Sequence, residues 1–320
     1  MSRPGTAEAR APGGGAGGGA VGGDAAALAR EAVGRGIGGP LPLFLQVARR
    51  VLRSPVGAVS AAVILVYVVM AVFAPAIAPY APDATDLGAR LRPPSPEHRF
   101  GTDGLGRDIL TRVIYGARIS LLVGSLTVLI TATFGTVLGV LGGFYRGAFD
   151  AISGRLTELL LAFPYLIFAI GMMAFLGPGF ANLVLALSLK GWVEFYRLAR
   201  GETLDQAGRE YVEASRALGQ RSLRTLFREV LPNVLPSILV LATLRVGYFM
   251  VLEASLSFLG VGIPPTIPAW GSMIAEGRNV LFIAWWVSTL PGLALLVLVL
   301  AINLLGDRLQ EAFDPKRRNR

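Results

Sequence analysis

Two sets of residues in this chain have types and spacing that suit them to more than packing. The first is Glu210-Tyr211-Val212-Glu213-Ala214-Ser215-Arg216-Ala217-Leu218-Gly219, continuing to Val230-Leu231-Pro232-Asn233-Val234-Leu235-Pro236. Tyr211, Ala214 and Leu218 recur at helical spacing, with Glu210, Glu213 and Arg216 beside them. Ala214, Ser215 and Ala217 are small, and Gly219 can end a helix in a left-handed turn. A second short helix follows, from about Ser222 to Glu229, and Pro232 sits where a further helix can start. The expected product is a compact helix–turn–helix that another surface can approach closely. The second set is four charges inside apolar stretches: Lys190, Glu194, Arg245 and Glu253. Lys190 and Glu194 are four apart and Arg245 and Glu253 eight apart, so each couple shares a helical face, and the first could pair along it.

Most catalytic chemistry is excluded by what is missing. The sequence contains no cysteine, and His98 is its only histidine, so the usual haem, zinc and copper sites cannot be assembled. A phosphate-binding loop needs Gly-x-x-x-x-Gly-Lys-Ser/Thr, but Lys190 follows Leu189 and Lys316 follows Pro315. Gly-x-Ser-x-Gly and His-Glu-x-x-His are also absent. Gly101-Thr102-Asp103-Gly104-Leu105-Gly106 reads as a tight turn, and His98 as an ordinary member of a polar loop. No catalytic or metal-ligating residue is assigned.

The elements that carry these residues are membrane spans. Mean hydropathy is +0.58, 53% of residues are hydrophobic and 16% charged, against about 25% charged in soluble domains. The charges are clustered, leaving uncharged windows long enough for the roughly 20 residues that a crossing helix needs. Six spans are expected, at about 56–77, 119–144, 156–176, 181–198, 235–259 and 283–305. Residues 1–45 form a Gly/Ala-rich tail expected to be disordered, 46–118 the first span and a polar loop, 119–306 a five-helix core, and 307–320 a basic tail. With the N-terminus inside, 21 of the 30 Lys and Arg residues fall in cytoplasmic segments, which puts both termini in the cytoplasm. That topology accounts for the formal charge of +9 without nucleic acid.

With the spans in place, the Glu-Ala-Ser…Gly…Leu-Pro pattern resembles the EAA loop in permease subunits of binding-protein-dependent ABC importers. Further segments match the branch that carries dipeptides, oligopeptides and nickel. These are Gly101-Thr102-Asp103 with Gly106-Arg107-Asp108, Leu161-Ala162-Phe163-Pro164, Glu253-Ala254, Leu256-Ser257-Phe258-Leu259-Gly260, Trp270-Gly271 and Asn303-Leu304-Leu305-Gly306-Asp307. The span ahead of Gly101 is similar to that of the C-type partner in a heterodimeric pair. The resemblance implies an all-α, type I ABC importer permease fold with a cytoplasmic coupling helix, in a prokaryotic plasma membrane. It implies a second permease subunit, two ATPase subunits that bind ATP and Mg, and an extracytoplasmic substrate-binding protein. Residues Glu210, Glu213, Ala214, Ser215, Gly219, Leu231 and Pro232 would couple to the ATPase.

Lys190, Glu194 and Arg245 stand where the family has small or uncharged residues, whereas Glu253 fits its pattern. These four would line the translocation path and meet peptide termini, or they would only form internal ion pairs. Pro164 and Pro291-Gly292 interrupt spans as hinges or as static bends. Pro264 to Gly271 is too proline-rich for a helix. A nickel importer of the same design, a stand-alone secondary transporter and a membrane scaffold are the rival readings.

Overall fold

Ser54 and Pro55 open the first long apolar helix by simple local chemistry. The Ser54 hydroxyl accepts from the Gly57 amide at 3.1 Å, and proline occupies a first-turn position where its missing N–H costs nothing. The computed structural model describes residues 43–313. The described residues divide between two units at Gln46–Val47. The expected tail over 1–45 lies outside the described residues except at its end, where Leu43 begins a helix.

In order, the helices are α1 (Leu43–Arg53), α2 (Pro55–Val72), α3 (Ala74–Ile77), α4 (Ile109–Tyr145), α5 (Gly147–Leu161) and α6 (Tyr165–Leu176). Next come α7 (Phe180–Ala207), α8 (Glu210–Ala217), α9 (Ser222–Thr225), α10 (Leu231–Phe258), α11 (Trp270–Arg278) and α12 (Trp286–Phe313). A 3₁₀ turn covers Leu87–Ala89, and a π-helical turn, Leu226–Val230, joins α9 to α10. Among the described residues the fold is all-helical. One isolated bridge, Thr102 to Asp108, closes the loop before α4.

Four helical runs among the described residues are long and apolar enough to cross a bilayer: α2, α4, Ser222–Phe258 and α12. The expected third span is broken. Helices α5 and α6 meet at 92° around Pro164, and they make a fifth crossing if counted together. The expected fourth span lies in α7, which at 28 residues is long enough to cross but carries Lys190, Glu194 and Arg197 and so is not counted among the apolar helices. Three other boundaries move. Helix α4 begins at Ile109, ten residues before the apolar window, because the Asp108 carboxylate accepts from the Thr111 amide at 2.8 Å and caps it. Residues 307–313, expected as tail, continue α12. The segment 264–271 does start a helix, α11, at Trp270, once its last proline is passed.

Helix α7 is held against α4 by a glycine stripe. A Cβ on Gly135 would sit 2.4 Å from the Trp192 carbonyl oxygen, on Gly139 2.5 Å from that of Tyr196, and on Gly143 2.8 Å from that of Arg200. Both sets advance four residues at a time, so two backbones touch along two turns. Small residues permit this approach, and it is the usual way for helices to associate where water supplies no driving force. Leu183, Leu187, Phe195 and Ala199 are fully buried on the same helix. Replacing Gly139 with Val should cost about 1–3 kcal/mol by overpacking. Thermal unfolding of the purified protein should show it, with Gly154→Ala, which meets nothing within 4 Å, melting near wild type.

Candidate functional site

The segment singled out by its small residues is presented at one end of the bundle. Helix α8 runs Glu210–Ala217 and ends where Gly219 adopts φ +77°, as its sequence position predicts. Glu210, Glu213, Ala214, Gly219 and Pro232 are exposed, while Ser215 and Leu231 are half-buried. Ser215 donates to the Gln220 side chain across the turn. Leu218, at the tip, is 88% exposed. One face is therefore free of the rest of the chain.

The opposite face is fastened. Val212 has no exposed surface and joins the main apolar core with Leu226, Val230 and Val234. The Arg216 guanidinium lies 5.0 Å from the centroid of the Phe144 ring, at the end of α4. Tyr211 donates to Gln206 at 2.8 Å and accepts from Asn233 at 3.3 Å, tying α8 to the end of α7 and the start of α10. Asn233 also donates to the Glu229 carbonyl at 2.6 Å, within reach of the π turn. The Leu231 amide bonds back to Leu226, and Pro232, which has no amide hydrogen, follows it at the start of α10. A displacement of α8 thus reaches α4, α7 and α10 together. Phe144, Gln206 and Asn233 were not marked by the sequence pattern, since each gains its role only from a distant partner.

The four charges in apolar stretches do not pair as their spacing suggests. Glu194 meets Arg245 across α7 and α10 at 2.6 Å, in place of the local couples Lys190–Glu194 and Arg245–Glu253. Lys190 instead donates to the Phe163 carbonyl, at the break between α5 and α6, and lies 5.5 Å from the Tyr165 ring centroid. A carbonyl at a helix break has no intrahelical partner, which makes it a good acceptor. Glu253 is fully buried and accepts from Ser257 at 2.9 Å and Ser120 at 3.3 Å. Helical spacing shows which residues share a face but not which neighbouring helix offers the nearer partner.

At the far end of the bundle the expected tight turn over 101–106 is present, with Gly101 and Gly106 both at φ +74°, and it carries an ionic network that its spacing did not indicate. Arg107 donates to Asp103 at 2.6 Å and to Glu276 of α11 at 2.8 Å. The Arg112 guanidinium, 1% exposed, approaches Asp103 at 3.5 Å and Glu276 at 3.6 Å. His98, in the polar loop as expected, contacts Asp108 through Nδ1 at 3.0 Å. Trp270 donates to the Val113 carbonyl and Trp286 to that of Thr102, so indoles brace both sides of the network. Among the described residues no cluster of three or more His, Asp or Glu side chains could hold a metal.

Comparison with known proteins agrees with this geometry. Residues 135–319 match the family described as binding-protein-dependent transport system inner membrane component, and residues 43–94 the N-terminal TM domain of oligopeptide transport permease C. A putative peptide transport system permease protein of Brucella suis is 40% identical over 87% of this chain and 93% of its own length. The di/tripeptide transport system permease protein of Pseudomonas aeruginosa is 43% identical over 80% of this chain and 86% of its own. A glutathione transport system permease protein of Pectobacterium atrosepticum is 41% identical over 84% and 89%. Among solved structures, an inward-facing MetNI methionine ABC transporter chain superposes with a TM-score of 0.53 at 19% identity. It covers 64% of this chain and 98% of that one, which establishes a shared fold.

Neutralising one member of the buried network should be costly. Asp103→Asn leaves Arg107 and Arg112 short of a carboxylate in a water-poor site, at an expected cost of about 3–5 kcal/mol. Thermal unfolding should place it far below Arg155→Gln, which removes only the exposed Arg155–Glu158 pair, worth less than about 1 kcal/mol.

Proposed function

The chain belongs to the family of binding-protein-dependent transport system inner membrane components, and on that premise we propose that it is the C-type permease half of an ATP-driven importer of short peptides. The observation that carries this reading is the form of α8: one face free, the other anchored to three long helices. Such a helix is built to receive force from another protein. This chain's sequence has no phosphate-binding loop, so the force comes from partner subunits that bind ATP and Mg. Two ATPases, a second permease subunit and an extracytoplasmic binding protein complete the assembly.

Glu210, Glu213, Ala214 and Gly219 supply the exposed contact, with Leu218 as an apolar tip. Ser215 keeps the turn closed, and Leu231 and Pro232 pass the movement into α10. The arginine distribution supports placing this end, and both termini, in the cytoplasm of a prokaryotic inner membrane. The network of Asp103, Arg107, Arg112 and Glu276 then lies on the extracytoplasmic side and offers a rigid platform towards a binding protein. Throwing a two-state element from one side to the other takes about 5.5 kcal/mol of differential binding, which nucleotide supplies at the ATPases. The cargo class rests on the relatives: those named for di/tripeptides and for glutathione both carry short peptides.

Gly219→Val places a branched side chain at a left-handed backbone position, at a cost of about 1–2 kcal/mol. Nothing lies within 4 Å of the new Cβ, so the effect is confined to the turn. The expected outcome, measured in vesicles holding the whole complex, is dipeptide uptake reduced about tenfold with the amount of inserted protein unchanged. Glu213→Arg should act alike. Normal uptake in both variants would count against α8 as the coupling element.

A further inference from the structure

Glu194 and Arg245 differ from the other charges placed in apolar stretches. Glu194 lies midway along α7 and Arg245 midway along the apolar helix α10. Their side chains remain 38% and 26% exposed. Lys190 and Glu253, by contrast, are 6% and 0% exposed, and both are satisfied inside the chain. The fold therefore buries a charge where the charge serves structure. An accessible charge at mid-membrane costs about 2.5–3.5 kcal/mol against hydrocarbon and belongs beside water or protein.

The pair also has capacity to spare. Its shortest contact runs from Arg245 Nη2 to Glu194 Oε2, at 2.6 Å. A guanidinium has five N–H donors and a carboxylate about four acceptor positions. Tyr248 lies 4.7 Å from the Arg245 guanidinium, and Tyr165 stands edge-on to Tyr248 at 5.8 Å. This gives the charges an aromatic wall against which an apolar side chain can rest. Opposite charges close together, with no net charge between them, complement a ligand that is itself a zwitterion.

We propose that Glu194 and Arg245 form a mid-membrane way-station for cargo with free ends. Glu194 takes the terminal ammonium of a passing peptide and Arg245 its terminal carboxylate, and the two residues close on each other when the path is empty. This rests on the peptide-import reading above. Self-pairing keeps the station weak: cargo must displace an existing bond to bind, and re-formation of that bond helps expel it. A conducting path needs that balance between entry and release.

The test uses vesicles holding the whole complex, with ATP and binding protein supplied and dialanine as the probe. Arg245→Gln, Glu194→Gln and the exchanged double variant Glu194→Arg/Arg245→Glu are compared with wild type. Each should lose about tenfold or more in uptake, the scale of one charge-assisted hydrogen bond. Stimulation of ATP hydrolysis by loaded binding protein should persist, and the exchanged variant should melt near wild type because its pair is re-formed. Recovery of uptake in the exchanged variant would overturn the proposal and leave the pair as a fastener between two helices. Loss of the second permease subunit on co-purification would overturn it in favour of a subunit contact. Wild-type vesicles that hydrolyse ATP but take up no dialanine would remove the peptide reading beneath it.

Discussion

Burial of Val212 in the apolar core is the contact on which the position of α8, and with it the coupling role proposed for that helix, depends. Helix α8 has eight residues and would not hold its shape alone in water. Its fixed position comes from that one side chain, from the Arg216 guanidinium on the Phe144 ring, and from Tyr211 bonded to the neighbouring helix ends. Because the anchors lie on α4, α7 and α10, the helix cannot shift without moving the bundle. Its other face can then be small and smooth, as Ala214 and Gly219 make it. Anchoring and presentation are two sides of one short helix.

The bilayer imposes the second constraint. Every charge inside the bundle has to be met by the chain, by water or by another protein, and the solutions differ in kind. Asp103, Arg107, Arg112 and Glu276 neutralise one another at the end carrying α11. Lys190 takes the carbonyl freed where α5 turns into α6, and Glu253 takes two serine hydroxyls. Glu194 and Arg245 meet each other while remaining partly open. The glycine contacts between α4 and α7 make these arrangements possible, since they bring the charged helix against the longest apolar one.

Much of this was legible in the sequence, and the failures have a common cause. Apolar windows located α2, α4, α10 and α12, and Gly219 marked the end of α8 correctly. The α8 segment could be found because it is local: small residues, acids and a glycine at fixed spacing need no distant partner. Boundaries failed where a tertiary partner paid for a charge. Arg112 and Arg118 made 109–118 look like a loop, yet Asp103 and Glu276 accept Arg112 and the helix starts at Ile109. The Glu194–Arg245 pair failed for the same reason. Helical spacing offered Lys190 and Glu253 as partners, and only the packing of α7 on α10 makes the true one visible. The break at Pro164 was visible as a kink, but its 92° angle was not, and neither were the bonds from Lys190 to the Phe163 carbonyl and from Tyr165 to the Leu187 carbonyl that join the turn to α7.

The account makes this chain a passive half-channel moved from outside, and the most direct measurement is peptide uptake by vesicles with and without the ATPase subunits. Labelled dipeptide should accumulate when permeases, ATPases, binding protein and ATP are all present, and uptake should fall to the level of empty vesicles when the ATPases alone are left out. Sustained accumulation without them would contradict the account, because an engine would then have to lie within the bundle itself.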